Sequence, residues 1–551
     1  MQVGVWRVSV CQLAAKARAT TTTTAISAIA TATKFQAKKV YKQSQTDVLC
    51  KLRKGCQGFA KLALNSTREG GNNQLCGERI QTAAIRATQL ITKRSFVSYS
   101  RYSASTIMNS YCKELTLMTY DIIGFDLDGT LLRYDLQHMT TLIYNSLKQY
   151  LVEHKGYPEA LLQQKLDMDF LQKGLILDGT RGNVLKLSHE ATILRASHGT
   201  RLLSDAEIVA IYGPERRWDV STAFYKDPLS TWNGPSSLQM RALLDFFDMP
   251  SSLVFAQAVD IVDRNSGSSG APKEYKVWED LLDGLMLNYS RDNFSNDKSL
   301  YFKAMRADPQ RYVLRSSDKL ISWLQELRAN GKKLFLLTGS NIDFANLTAT
   351  QALGRDWQQL FDFVVTFAKK PGFFTMKRPF LVVDNEAKHE LPGSELNLET
   401  DLKSGEIYSQ GNWHQLHLSM AKLLNKDTVE ARALYFGDNI IQDIYTPVKH
   451  RDFDAVAIAE ELSLVDQKDY QFNSVMSSNF WDSYFFIGDT PTLWSGFIAN
   501  YAQICVSSMD QMAQMPPTER IVSTNVNGFY PAMPQQLMSS NLTTSWHGGG
   551  V

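Results

Sequence analysis

Four short apolar runs beyond residue 115 each stop abruptly at a polar cluster. Ile122-Ile123-Gly124-Phe125 ends at Asp126-Leu127-Asp128-Gly129-Thr130. Residues 332–337 end at Thr338-Gly339-Ser340-Asn341. Residues 361–366 lead to Lys369-Lys370-Pro371-Gly372, and 433–436 lead to Gly437-Asp438-Asn439-Ile440-Ile441-Gln442-Asp443. Unbroken apolar runs bounded by turn signals predict strands buried on both faces, as in a parallel sheet. Residues 455–458 predict a further strand. Between the runs the period becomes helical. Leu320, Trp323, Leu324 and Leu327 predict a helix over 316–330, capped by Ser316 or Ser317 and stopped by Gly331. Residues 142–154 predict an amphipathic helix. Helix-then-strand order predicts an α/β fold with a doubly wound, Rossmann-like parallel sheet.

About two hundred residues separate Thr130 from Thr338, far more than the dozen or so that one crossover needs. The core is therefore read as 115–134 plus 316–462, with 135–315 as a large inserted α+β cap. Residues 463–551 form an extension whose aromatics (Tyr470, Phe472, Phe480, Trp481, Tyr484, Phe485, Phe486) predict packing on the core or on a partner subunit. The stretch 266–270 (SGSSG) is expected to be a flexible loop, and the end, 546–551, to be disordered.

Charge divides the chain. Residues 1–110 hold 17 Lys/Arg against 3 Asp/Glu, which leaves 41 against 53 for the rest. The body carries no basic stripe with interleaved aromatics, so nucleic acid is not an expected partner. No run approaches 18 apolar residues, so no membrane span is expected. Six cysteines without a Cys-x-x-Cys pair make neither a disulfide framework nor a zinc site. The acid-poor leader, 1–105, is either a mitochondrial targeting peptide or a solvated basic tail. Residues 93–98 look like a processing site, whereas translation from Met108 or Met118 would give a cytoplasmic form.

Two carboxylates at a strand's carboxyl end, where ligands of open α/β sheets sit, are either an ordinary Asp-Gly turn or a phosphoryl-transfer pair. In the second reading Asp126 attacks phosphorus. Asp128 protonates the leaving oxygen and then activates water. Such a site needs a hydroxyl, a cation and further acid ligands for magnesium. Thr338, Lys370 and the Gly-Asp-x4-Asp of Asp438 and Asp443 supply these in order. Each has a plainer reading: Lys370 as a surface lysine, Asp438 as a helix N-cap. Their joint order favours chemistry. His198 is read as hydrogen-bonded scaffold at least as readily as a substrate contact. Trp218, Phe224 and Trp232 are read as core more readily than as stacking partners.

The stretches 121–134 (DIIGFDLDGTLLRY), 194–200 (LRASHGT), 370–374 (KPGFF), 408–412 (YSQGN) and 435–444 (YFGDNIIQDI) resemble the haloacid-dehalogenase superfamily, in its purine 5′-nucleotidase branch. The similarity runs from about residue 115 to beyond 460, with 481–487 and 527–531 extending it. The resemblance implies a magnesium-dependent phosphomonoester hydrolase acting on nucleoside 5′-monophosphates. Asp126 would be nucleophile and metal ligand. Asp128 would be acid/base, with its main-chain carbonyl on the metal. Thr338 would bind the phosphoryl group, Lys370 would stabilise it, and Asp438 would complete the metal site. Asp443 would orient Lys370 or a metal-held water. Gly129 departs from the bulkier residue of near relatives, which bears on access to the site. Other small phosphate esters as substrate, transfer to an acceptor alcohol, a silent scaffold and a homo-oligomer all stay open at this point.

Overall fold

The computed structural model describes residues 112–230, 236–266, 275–464, 478–523 and 527–530. The leader, Trp232, Tyr470, Phe472, the loop after Ser266 and the end of the chain lie outside the described residues.

Nine strands form one sheet: β1 (Ile122–Phe125), β2 (Lys333–Leu337), β3 (Phe363–Thr366), β4 (Phe380–Asp384), β5 (His389–Glu395), β6 (Ile407–Gln410), β7 (Ala433–Gly437), β8 (Phe453–Ile458) and β9 (Ile504–Val506). Their order is β5-β4-β6-β3-β2-β1-β7-β8-β9. From β6 to β9 every pairing is parallel. The edge pair β4 and β5 runs antiparallel.

The apolar runs are unbroken because both faces are covered. Ile123, Phe125, Leu334, Leu336, Leu434 and Phe436 join one core cluster, with Trp323, Leu324 and Leu327 of helix Asp318–Ala329. The alternate residues Ile122, Phe335, Leu337, Ala433 and Tyr435 join another, with Trp413, Leu416 and Met420 of helix Trp413–Leu423. That period of two is what a strand imposes. Helix Asp318–Ala329 starts where Ser317 accepts a hydrogen bond from the Leu320 N–H, as a capping serine should. The chain winds outward from β1 through β2 and β3, then returns to β7 on the other side. The switch point therefore lies between β1 and β7, at the end carrying Asp126 and Asp438.

The insertion between β1 and β2 holds a five-stranded antiparallel sheet, in the order Arg201–Leu202, Ile193–His198, Asn183–Leu187, Ile176–Asp178, Met240–Ala242. It also holds helices Leu136–Lys155, Ser251–Ser266, Val277–Tyr289 and Leu300–Ala307. The helix expected at 142–154 is longer at both ends. Asp135 caps it through the His138 N–H, and it ends at Gly156.

The C-terminal segment returns to both layers. Helix Leu493–Tyr501 leads into β9, the outer strand beside β8. Arg520–Val522 pairs antiparallel with Glu114–Thr116. Trp481, Tyr484, Phe485 and Phe486 are buried within the chain itself. Among the described residues no helix is long and apolar enough to cross a membrane.

Candidate active site

Four loops at the carboxyl edge, after β1, β2, β3 and β7, build the site. After β1, the Asp126 N–H donates to the Phe436 carbonyl of β7 (2.9 Å), which holds the first loop against the last. The chain then turns tightly, with Leu132 N–H donating to the Leu127 carbonyl (3.0 Å). Gly129 sits at φ +76° in this turn. A Cβ there would lie 2.6 Å from Asp438 Oδ2. A glycine thus both tolerates the left-handed backbone and leaves room for that carboxylate.

The Asp128 carboxylate is held by hydroxyls. Tyr134 donates to Oδ1 (2.6 Å); Ser340 (2.8 Å) and Thr338 (3.3 Å) donate to Oδ2. Burial first, and the nearby Asp126 charge second, push its carboxyl up against the pull of these three bonds. A carboxyl so shifted is suited to carrying a proton.

The loop after β3 is tied to the Thr338 loop by Phe367 N–H to the Ser340 carbonyl (2.8 Å) and Ala368 N–H to the Thr338 carbonyl (3.0 Å). Phe367 and Lys369 take left-handed φ values of 44° and 52°. Such values are uncommon for side chains of this bulk and mark a tightly constrained turn. This turn delivers Lys370 into the interior. Its Nζ lies 2.8 Å from Asp126 Oδ1 and 2.7 Å from Asp443 Oδ1. Burial alone would lower the ammonium, but the two carboxylates more than offset that and hold it well above its ordinary value.

After β7 the chain enters a wide, π-type turn, Ile440–Tyr445. Asn439 caps it by accepting from the Gln442 N–H (3.0 Å). The cap position is thus taken by Asn439, and Asp438 is left free of that duty. Asp443 Oδ2 accepts from the Asn439 N–H (3.2 Å). A Cβ on Gly437 would fall 2.3 Å from the Asp443 Cβ, so only glycine lets Asp443 fold back onto the strand end.

Asp126, Asp438 and Asp443 each bring a carboxylate oxygen within 4.8 Å of the others, all buried. Lys370 pairs two of them. Asp438 makes no hydrogen bond or ion pair among the described residues. Burial pushes its carboxyl well up; Lys173 opposes this, and the Asp126 and Asp443 charges add to it. Three converging carboxylates with one shared ammonium leave negative charge uncompensated in a dry setting, which is costly. A hard divalent cation with oxygen ligands fits this donor set.

The sign of that charge excess makes a measurable prediction. Burial, partly offset by Lys370, raises Asp443 to about 7 from its ordinary 3.8. The folded metal-free protein therefore binds this proton more tightly than the unfolded chain does. The associated stability is fully present below the ordinary value and is lost as pH rises through about 7. A divalent cation held by these carboxylates would compete with the same proton. The gain in melting temperature from Mg2+ over EDTA is expected to grow between about pH 5 and 8. A gain that is flat over this range would contradict the metal assignment.

All six residues singled out in the sequence (Asp126, Asp128, Thr338, Lys370, Asp438 and Asp443) meet at this edge. Tyr134 and Ser340 were not among them. Ser340 lies two residues past Thr338 in the same loop, and that spacing was the available signal. His198 is scaffold: its ring nitrogens lie 2.8 Å from Asn183 Oδ1 and 2.9 Å from Asp263 Oδ2. Trp218 and Phe224 are buried in a hydrophobic cluster that joins the insertion to β8 and the C-terminal segment.

The model of the 5′ nucleotidase family matches residues 111–465. The chain is 32% identical to bovine (Bos taurus) 5′-nucleotidase domain-containing protein 1 over 476 residues, covering 79% of this chain and 99% of the relative. It is 33% identical to the human (Homo sapiens) protein of the same name over 472 residues, with the same coverage. Human 5′-nucleotidase domain-containing protein 2 is 29% identical over 355 residues, covering 63% of this chain and 62% of that protein. The matched family span contains all four loops of the site, and two relatives are covered almost end to end, so this chain belongs to the 5′-nucleotidase family.

Proposed function

We propose that the protein is a magnesium-dependent phosphomonoester hydrolase that removes phosphate from nucleoside 5′-monophosphates, purine nucleotides among them, through an aspartyl-phosphate on Asp126. The observation that carries this reading is the Lys370 ammonium between Asp126 and Asp443, with Asp438 beside them and unpaired among the described residues. In this reading Asp126 Oδ attacks phosphorus while Asp128 gives its proton to the departing ester oxygen. The raised Asp128 carboxyl supports the first role. Once deprotonated, the same group takes a proton from the water that hydrolyses the aspartyl-phosphate. Lys370 and the hydroxyl of Thr338 hold the phosphoryl oxygens as charge develops. A bound Mg2+, held by the carboxylates of Asp126, Asp438 and Asp443 with the Asp128 main-chain carbonyl, would neutralise phosphate against carboxylate. The nucleotide part of the reading rests on the relatives, whose names carry a 5′-nucleotidase domain.

A panel of nucleoside monophosphates and sugar phosphates tests the substrate class. Magnesium-dependent phosphate release is expected, fastest from a nucleoside 5′-monophosphate. Faster release from a sugar phosphate than from any nucleotide would overturn the nucleotide reading and leave the chemistry standing.

A further inference from the structure

One charged pair on the cap side of the site is incomplete. Lys173 lies in the turn that precedes cap strand Ile176–Asp178, and it is buried. Its Nζ lies 3.5 Å from Glu461 Oε1 and makes no hydrogen bond among the described residues. It sits over the rings of Phe246 (4.7 Å) and Tyr484 (5.6 Å). Glu461 follows β8, the neighbour of β7, at the same carboxyl edge as Asp438. Among the described residues, both of its buried carboxylate oxygens lack a hydrogen-bond partner. Lys186, in the same cap, shows what a finished buried lysine looks like. It donates to Gln172 Oε1 (2.6 Å) and to the carbonyls of Trp481 (2.6 Å) and Ser483 (2.5 Å).

Buried charges retained without hydrogen bonds are expensive unless a ligand completes them. The surroundings hold Lys173 in place for that purpose. Gln172 donates to the Asp482 carbonyl (2.6 Å), the Trp494 ring donates to the Gly174 carbonyl (2.7 Å), and Gly174 N–H donates to the Leu243 carbonyl (2.6 Å). The C-terminal segment thus pins the turn on both sides of Lys173. Burial disfavours the ammonium, but Glu461, Asp438, Glu460 and Asp245 together keep it charged. A charged lysine without a hydrogen bond among the described residues, paired with Glu461 at the carboxyl edge that carries Asp438, has the chemistry to bind a phosphate oxygen.

We propose that Lys173 is the cap's contact to the substrate's phosphate, with Glu461 as the positioning residue that aims it. This rests on the phosphatase reading above. It assigns the cap a direct part in anion binding and the C-terminal segment the task of holding that contact.

The test is titration calorimetry of inorganic phosphate in the presence of Mg2+, and of Mg2+ alone, on the full chain. K173M is the direct variant. K173M/E461Q removes both charges together, so no unpaired carboxylate is left to compromise folding. Phosphate affinity of K173M/E461Q is expected to fall about ten- to a hundredfold, with Mg2+ affinity unchanged and K173R recovering part of the loss. Phosphate binding as tight as wild type would overturn the proposal. So would an equal loss of Mg2+ affinity, which would mean that the pair only supports Asp438. Wild-type protein that binds no phosphate with Mg2+ would instead remove the phosphatase reading itself, and the proposal with it.

Discussion

Asp126→Asn is expected to lower kcat by at least about 10⁴-fold, with the protein folded and no less stable than wild type. The magnitude follows from loss of a covalent nucleophile, which elsewhere costs up to about 10⁶ in kcat; a factor of 10⁴ is about 5 kcal/mol of barrier. The fold should tolerate the change because asparagine keeps the shape of the side chain and its bonding to β7 runs through the backbone. It also removes one of three buried acids that crowd one another. Steady-state kinetics and thermal unfolding on the same preparations check both halves. Near-wild-type turnover would sink the mechanism.

Lys370→Met is expected to fail twice. Loss of one preorganised donor to developing phosphoryl charge costs about 10²–10³ in kcat. The same change strands Asp126 and Asp443, which Lys370 now pairs at 2.8 and 2.7 Å. Breaking a buried ion pair from one side costs about 3–5 kcal/mol. That stability loss should be largest above pH 7 in EDTA. It should shrink on acidification, because a protonated Asp443 no longer needs the cation. Urea unfolding at two pH values separates this from a simple packing defect, whose cost would not follow pH.

The parts of the site that could be read from the sequence were those where chemistry and backbone geometry coincide. Ile122–Phe125 is a strand to the residue, because three apolar side chains around a glycine read as a strand covered on both faces and Gly129 marks the turn. The strand before Asp438 was legible for the same reason. Asp438 itself was ambiguous, since Asp and Asn side by side both suit a helix cap; packing, not local preference, gave the cap to Asn439.

Other features depend on contacts between distant segments. The edge strand β9 is three residues long, and its place beside β8 is set by pairing between residues 48 positions apart. The antiparallel strand His389–Glu395 is largely exposed and polar, so it carries no buried-strand pattern. Lys173 stands alone in a turn, and its meaning comes from Glu461, nearly three hundred residues onward. Ser340 and Tyr134 reach Asp128 from different loops, and only tertiary structure shows that they share one acceptor.

In the proposed reaction phosphate passes through Asp126. The most direct measurement is reductive trapping with borohydride during turnover of 4-nitrophenyl phosphate, followed by peptide mass spectrometry. The variant Asp128→Asn should sharpen the signal. Its leaving group needs little protonation, so attack by Asp126 continues while the water step that requires Asp128 as base stalls. Reduction of the acyl phosphate to homoserine is expected at position 126, more in Asp128→Asn than in wild type. Turnover with position 126 unmodified, or modification at another carboxylate in its place, would contradict it.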